Sequence, residues 1–165
     1  MDIVITPEGR IKELGVKLPM TAPALGHYEP WCIVGNTFMT SGQFPWIDGD
    51  LKYRGRLGKD INLEQGYDAC RLAALNAISQ LKSAVDDLSK VSRVFRIEGV
   101  LNVAEGVDFH PKALDGASDI INSIFSERGR HTRMIWTNPV MPMNSVCIVY
   151  IFAEICKEPS FCKQQ

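Results

Sequence analysis

The fold is decided by a helical segment and the strand that follows it, which read NLEQGYDACRLAALNAISQLKSAVD (residues 62–86) and FRIEGVLNV (residues 95–103). Asn62 and Gln65 match a capping box, in which each side chain bonds the backbone N–H of the other residue. Apolar residues then recur at helical spacing, at Leu72, Leu75, Ile78, Leu81 and Val85. In the second segment, alternate positions are apolar or glycine, namely Phe95, Ile97, Gly99, Leu101 and Val103. The pattern predicts a long helix followed by a strand with one buried face.

Downstream of this pair, the sequence predicts a second helix and two further strands. The helix runs from about Pro111 to Arg128, because an apolar stripe recurs at helical spacing and Pro111 suits a first turn. Gly129 is expected at the position just after the helix end. The strands are predicted over Met134–Thr137 and Val146–Ile155.

Upstream, a β-hairpin is expected over Trp31–Val34 and Thr37–Thr40, because Gly35-Asn36 separates two apolar runs. A short helix is predicted from Pro7 to Leu14, and Asp48-Gly49 marks a second turn. The resulting order is β-β-(β)-α-β-α-β-β after the short helix. It indicates an α+β fold in which two amphipathic helices cover one face of a mostly antiparallel or mixed sheet.

The last predicted strand is apolar on both faces. Cys147, Val149, Ile151 and Ala153 form one side, and Val146, Ile148, Tyr150 and Phe152 form the other. Such a strand must be covered on both sides, yet the helices account for only one. We therefore expect the bare sheet face to be covered by self-association, with a covering loop as the alternative.

Length and composition exclude several classes of protein. The 165 residues fit one domain at roughly 100–200 residues per domain. A net charge of −1 gives no basic excess for a nucleic-acid partner. The longest apolar run, residues 146–153, falls short of the roughly 20 residues that cross a bilayer. We expect no nucleic-acid or membrane partner and no signal peptide. The cytoplasm is the expected compartment, with mitochondria left open.

Neither the histidines nor the cysteines have the spacing of metal ligands. His27, His110 and His131 are scattered, and no pair among the five cysteines is a C-x-x-C. No metal and no cofactor are expected. Cys70 and Cys147 stand at apolar positions of a helix and a strand and are predicted to be core thiols, whereas Cys162 in the polar tail is predicted to be exposed.

The densest cationic cluster follows the second helix and contains Arg128, Arg130, His131 and Arg133. Cations at a helix C-terminus complement its dipole, so Arg128 and Arg130 have an adequate structural role. Arg133 differs because it stands at the start of a strand. A guanidinium at a strand end suits a bidentate carboxylate.

The motifs around the hairpin resemble a known family. Tyr28, followed by GNTFMTSGQFP at residues 35–45, resembles the Y…GN…SGQ-x-P segment of the RidA/YjgF proteins. These are reactive-intermediate deaminases once labelled L-PSP endoribonucleases. Arg133, with Pro142 and a final long strand after it, resembles the same family's A-R-S…L-P signature. The resemblance predicts one RidA-like domain over residues 1–156, with residues 1–18 as an N-terminal extension and residues 157–165 as a polar tail.

The resemblance implies a chorismate-mutase-like fold and a homotrimer whose sheets form a central barrel, with clefts between subunits. By this resemblance Arg133 binds the carboxylate of a 2-imino or enamine acid, and the backbone at Ile135 helps hold the attacking water. Tyr28 is expected to line the same cleft from a neighbouring subunit, with Ser41 and Gly42 nearby.

The sequence departs from the deaminases where water is activated. The family's glutamate on the last strand corresponds to Ile148, which can neither accept nor donate a proton. Ser118 corresponds to a helix asparagine, and Ile135 stands where cysteine is common. His131 and Glu29 are the candidates to replace the missing group.

Three functions compete. The first is hydrolysis of imine or enamine acids to 2-keto acids and ammonia. The second is a non-catalytic trimer of the same fold that binds a carboxylate metabolite, which Ile148 favours. The third is ribonuclease action, which fits poorly because the charge is balanced and no catalytic His pair is recognisable.

Overall fold

The computed structural model of the chain describes residues 6–156. A five-stranded mixed sheet has the order β1-β2-β7-β5-β6, and a small two-stranded hairpin stands beside it. The strands of the large sheet are β1 (Trp31–Val34), β2 (Thr37–Thr40), β5 (Val91–Leu101), β6 (Thr132–Thr137) and β7 (Cys147–Ile155); the hairpin contains β3 (Trp46–Ile47) and β4 (Asp50–Leu51). Only β5 and β6 pair in parallel, and the predicted α+β class with a mixed sheet is confirmed.

Within the described residues, three α-helices accompany the sheet: α1 (Pro7–Glu13), α2 (Leu63–Val85) and α3 (His110–Phe125). The capping box predicted for α2 is present, since Asn62 and Gln65 each bond the other's backbone N–H. Within residues 6–156, none of the helices is long and apolar enough to cross a membrane.

The main core lies between α2, α3 and one face of the sheet. Cys147, Val149, Ile151 and Ala153 of β7 are fully buried in it, as are the thiol of Cys70 and the side chain of Leu114. The two cysteines are therefore core thiols, as predicted, and burial raises the pKa of Cys147 well above its ordinary value, with the neighbouring Cys70 adding to the effect. Cys162 lies outside the described residues.

The helices meet at a very close crossing. A Cβ at Gly116 of α3 would lie 2.0 Å from the carbonyl oxygen of Tyr67 in α2. No side chain fits there, so Gly116 sets how closely the two helices pack.

The opposite face of the sheet is only partly covered. Ile148 is 8% exposed and packs with Phe44 and Met141 of the loops and with Leu51 of β4, so these segments cover one end of β7. At the other side of this face Trp136 is 55% exposed and Met134 is 39% exposed. We call this the open face.

Four details of the sequence prediction are wrong. Phe95 is not on the buried face, because a register shift between Val94 and Arg96 turns its ring toward Phe152 of the open face. Val146 belongs to the main core, because it precedes β7 and lies outside the strand's alternation. The second helix ends at Phe125, since Ser126 has a positive φ of 53°, and a 3₁₀ turn (Ser126–Gly129) follows. Gly129 therefore lies within that turn rather than just after the helix.

Candidate active site

Arg133 lies on β6, which is an edge strand of the sheet. It is paired with Ile97, whose side chain is buried on the helix-covered face, so the guanidinium points toward α3. There Nη1 donates to Asp115 Oδ1 at 2.7 Å and to Ser118 Oγ at 3.4 Å, and Nη2 donates to the carbonyl of Pro111 at 3.3 Å. The strand start and the first turns of α3 thus fix the guanidinium.

His131 lies beside this guanidinium and shares Ser118 with it. Its Nδ1 is 2.5 Å from the carbonyl oxygen of Gly129, and its Nε2 is 3.0 Å from Ser118 Oγ. A carbonyl can only accept, so Nδ1 carries the proton and the lone pair of Nε2 accepts from the Ser118 hydroxyl. Burial lowers the pKa of His131 below its ordinary value of 6.5, and the nearby Arg133 adds to the effect. The imidazole is therefore a neutral base at pH 7.

The backbone of Ile135 is free to bind on the outer side of β6. Asn138 N donates to Leu101 O of β5. In a parallel pair every second residue bonds the neighbouring strand, so the backbone N–H and C=O groups of Trp136 and Met134 also point toward β5. The N–H and C=O of Ile135 therefore point away from the sheet. We call Asp115, Ser118, His131, Arg133 and Ile135 the Arg133 half-site.

The other cations of this segment have structural contacts. Arg128 donates to the carbonyls of Ser89 and Val91, which ties the turn after α3 to the start of β5. Arg130 pairs with Glu127 at 3.0 Å, with both side chains about three-quarters exposed. Both arginines therefore have structural contacts, which differ from the predicted interaction with the dipole of α3; that interaction stays a prediction.

The remaining candidates lie near the opposite edge of the sheet, around β1 and β2. Tyr28 is 49% exposed, and its hydroxyl accepts from the backbone of Leu25 at 3.3 Å. Ser41 Oγ donates to the carbonyl of Glu29 at 2.6 Å, and both residues line a cavity of about 280 Å³. With Gly42 they make the Tyr28 half-site: Tyr28, Glu29, Ser41 and Gly42.

Gly42 is required for space rather than for a turn. A Cβ there would lie 2.4 Å from a methyl of Ile148 and 2.9 Å from the hydroxyl of Tyr150. Ile148, which the resemblance predicts to replace a glutamate, is thus packed against the Tyr28 half-site and buried among apolar residues. Burial also raises the pKa of Tyr150, with Glu98 and Tyr28 contributing further.

Within one chain, the two half-sites do not meet. Strands β2, β7 and β5 separate the β1 edge from the β6 edge. His131 and Ser118, and not Glu29, lie beside Arg133. The sequence prediction therefore names two groups of residues that lie at opposite edges of the sheet within one chain.

Sequence reasoning missed Asp115, which makes the shortest contact to Arg133. The signal was present, because Asp115 and Ser118 are three residues apart on a predicted helix and so share one face. A carboxylate beside a predicted carboxylate-binding arginine deserved inclusion among the candidates.

The comparisons with known proteins give this architecture a family. The model of the YjgF/chorismate mutase-like, putative endoribonuclease family matches residues 8–155. The chain belongs to this family. The YjgF fold predicted from the sequence is thereby confirmed, whereas the trimer and the barrel remain predictions.

Individual proteins that are similar to this chain support its place in the YjgF family. The crystal structure of a putative endoribonuclease from Shewanella oneidensis MR-1 is 59% identical, with a TM-score of 0.90 over 91% of this chain and 99% of that one. Protein Atu1372 from Agrobacterium tumefaciens, of unknown function, is 33% identical, with a TM-score of 0.84 over 90% of this chain and 92% of its own. Protein TCP17 of Trypanosoma cruzi is 34% identical over 74% of this chain and 78% of its own.

Proposed function

We propose that this YjgF-family protein hydrolyses 2-imino or enamine acids to 2-keto acids and ammonia, in a cleft between subunits of a homotrimer. The observation that carries the proposal is the convergence of Arg133, Ser118 and His131 at the β6 edge. One residue binds a carboxylate, and the other two form a hydrogen-bonded pair that ends in a neutral base.

Arg133 has donors left for a substrate carboxylate. Its bonds to Asp115, Ser118 and Pro111 use Nη1 and one hydrogen of Nη2. On the edge formed by Nε and Nη2, Nε makes no hydrogen bond to any residue of 6–156, and Nη2 keeps one hydrogen beyond the one it donates to Pro111 O. That edge has the geometry of a bidentate carboxylate contact.

The Ser118–His131 pair supplies the base that Ile148 cannot. Water attacks the imine carbon and forms the C–O bond while the C=N π electrons move to nitrogen. The water's proton passes to Ser118 Oγ as the Ser118 hydroxyl proton passes to His131 Nε2. For an imine that enters protonated, the proton then returns from His131 through Ser118 to the amine nitrogen. The hydroxyl formed from water gives its own proton to the Ser118–His131 pair as C=O forms and the C–N bond breaks, which releases ammonia and leaves the 2-keto acid.

The placement of the two half-sites at opposite edges of the sheet supports an intersubunit cleft. A second copy whose β1–β2 edge approached β6 would bring Tyr28, Ser41 and Gly42 to Arg133. The exposed Trp136 and Met134 of β6 provide an apolar surface for such an approach. A trimer built this way repeats the same cleft three times.

Ammonia release from a freshly generated 2-imino acid tests the proposal. We expect wild type to accelerate release, Arg133→Ala to abolish the acceleration, and Ser118→Ala to reduce it about 10²-fold. Arg130→Ala is the matched control, because it removes a nearby cation whose side chain bonds Glu127 and no other residue of 6–156. If folded wild type gives no acceleration, the hydrolase proposal is wrong. If Arg133→Ala matches wild type, Arg133 is not the anchor.

A further inference from the structure

Asp115 places a fixed negative charge against the proposed carboxylate anchor. Its Oδ1 is 2.7 Å from Arg133 Nη1, while its side chain is 46% exposed and that of Arg133 is 32% exposed. Such a half-exposed ion pair contributes little to stability. The charge of Asp115 instead bears on which ligands Arg133 can bind.

Asp115 leaves the anchor open. It accepts from Nη1. On the Nε–Nη2 edge, Nη2 donates to the carbonyl of Pro111, while Nε makes no hydrogen bond to the described residues and Nη2 keeps a second hydrogen. A ligand carboxylate on that edge would share one guanidinium with the Asp115 carboxylate. Two carboxylates on one cation repel each other, unless the ligand also carries a positive charge close to its own carboxylate.

We propose that Asp115 makes the site selective for zwitterions, meaning ligands with a cationic nitrogen on the carbon next to the carboxylate. The inference rests on the proposed function, because it takes Arg133 as the carboxylate anchor. The ligand carboxylate binds Arg133 and its cationic nitrogen lies toward Asp115. A protonated 2-imino acid has this charge pattern, and so does an α-amino acid.

The same charge pair distinguishes substrate from product. Hydrolysis replaces the cationic nitrogen with a carbonyl oxygen and releases ammonia, so the 2-keto acid is a simple anion. Asp115 still repels the carboxylate of the product, but the product has no cationic nitrogen for Asp115 to attract. Asp115 therefore favours capture of the iminium acid and release of the keto acid.

The neighbouring acid Asp119 offers a matched control. It lies one turn further along α3 and, with Asp115, lines an open cavity of about 600 Å³, but its carboxylate bonds the Tyr67 hydroxyl at 2.8 Å. Asp119→Asn removes a nearby negative charge without touching Arg133. Asp115→Asn removes the charge while keeping an oxygen that can accept from Arg133.

The test measures how tightly L-alanine and L-lactate bind to the full-length protein at constant ionic strength. The two ligands differ at the carbon next to the carboxylate, where alanine carries an ammonium group and lactate a hydroxyl group. We expect wild type and Asp119→Asn to prefer alanine about tenfold, and Asp115→Asn to lose the preference by binding lactate more tightly. Arg133→Ala should bind neither ligand.

Two results would overturn the inference. If Asp115→Asn keeps the wild-type preference while Arg133→Ala loses binding, Asp115 does not select zwitterions and the carboxylate anchor stands. If wild type binds neither probe, the anchor itself fails, and the proposed function fails with it. Melting temperatures of all four proteins show whether each variant is folded.

Discussion

At the scale of single residues, the central feature is a histidine held as a neutral base. Gly129 O fixes the proton on Nδ1, and Ser118 presents its hydroxyl to Nε2. Because burial lowers the pKa of His131, Nε2 becomes half-protonated only at a pH below the ordinary pKa of 6.5. Once protonated, Nε2 is a donor and can no longer accept from Ser118.

The proposed hydrolysis should therefore fail in acid. We expect kcat to fall as pH drops through a value below 6.5, with a plateau above it, and His131→Gln to lose most of the activity together with that acid limb. Arg130→Ala is the control, because it changes the residue before His131 while leaving both hydrogen bonds of the imidazole in place. A wild-type profile that is flat from pH 5 to 8 would contradict His131 as the base.

The lowered pKa of His131 also predicts that the stability of the protein depends on pH. Between the lowered folded-state pKa and 6.5, the unfolded chain binds the His131 proton and the folded chain does not. The free energy of unfolding should therefore fall as pH falls through this window. Urea titrations at several pH values measure the free energy of unfolding of wild type and His131→Gln, and the variant should lose part of the pH dependence. If the free energy of unfolding varies equally with pH in both proteins, this prediction is wrong.

At the scale of elements, the closest constraint is the α2–α3 crossing at Gly116. A Cβ at this position would lie 2.0 Å from a backbone oxygen of α2, and backbone cannot move aside as a flexible side chain can. Moving α3 would also move Asp115 and Ser118, which lie on the same helix. Packing and site geometry thus depend on one glycine.

We predict that Gly116→Ala lowers the free energy of unfolding by more than about 2 kcal/mol, because the helices must separate to admit the methyl group. Thermal melting followed by circular dichroism measures the change. Ser123→Ala is the matched control on the exposed side of α3 and should shift the melting temperature little. Equal melting temperatures for Gly116→Ala and wild type would show that the crossing is not tight.

Elements were the level at which the sequence was most informative. Asn62, Gln65 and the spacing of the leucines predicted α2 almost to the residue, because capping and helical periodicity are local. The bulge that turns Phe95 outward could not be predicted, since it depends on the register against β7. The positive φ at Ser126 that ends α3 also had no local sign, because the residue is not a glycine.

The site shows the same division between local and long-range information. Motifs predicted Arg133, Ser118 and His131, and these three residues do lie together. That Tyr28 and Arg133 belong to opposite edges follows only from the strand order, which pairs β7 between β2 and β5. Local spacing carries no record of that order.

At the scale of the whole molecule, the account requires copies of the chain to associate through the open face. Trp136 and Met134 expose large apolar surfaces there, next to the Arg133 half-site. A charge placed among them would have to be buried without a partner in any assembly that uses this face.

We predict that wild type has the mass of three 18.4 kDa chains and that Trp136→Glu dissociates it to single chains. Size-exclusion chromatography with light scattering measures the mass. Ser123→Glu, on the exposed side of α3, is the control and should stay trimeric. A trimer that persists in Trp136→Glu would place the interface elsewhere.

Complementation between two inactive variants tests the central claim, that each site joins Arg133 of one subunit to Tyr28 of another. Arg133→Ala and Tyr28→Ala are prepared separately, mixed, dissociated and reassembled, and ammonia release from a 2-imino acid is measured beside wild type and each parent. Random assortment gives about one quarter of the sites both intact residues, so the mixture should recover about one quarter of wild-type activity. A mixture no more active than its parents, with wild type active, would contradict the account.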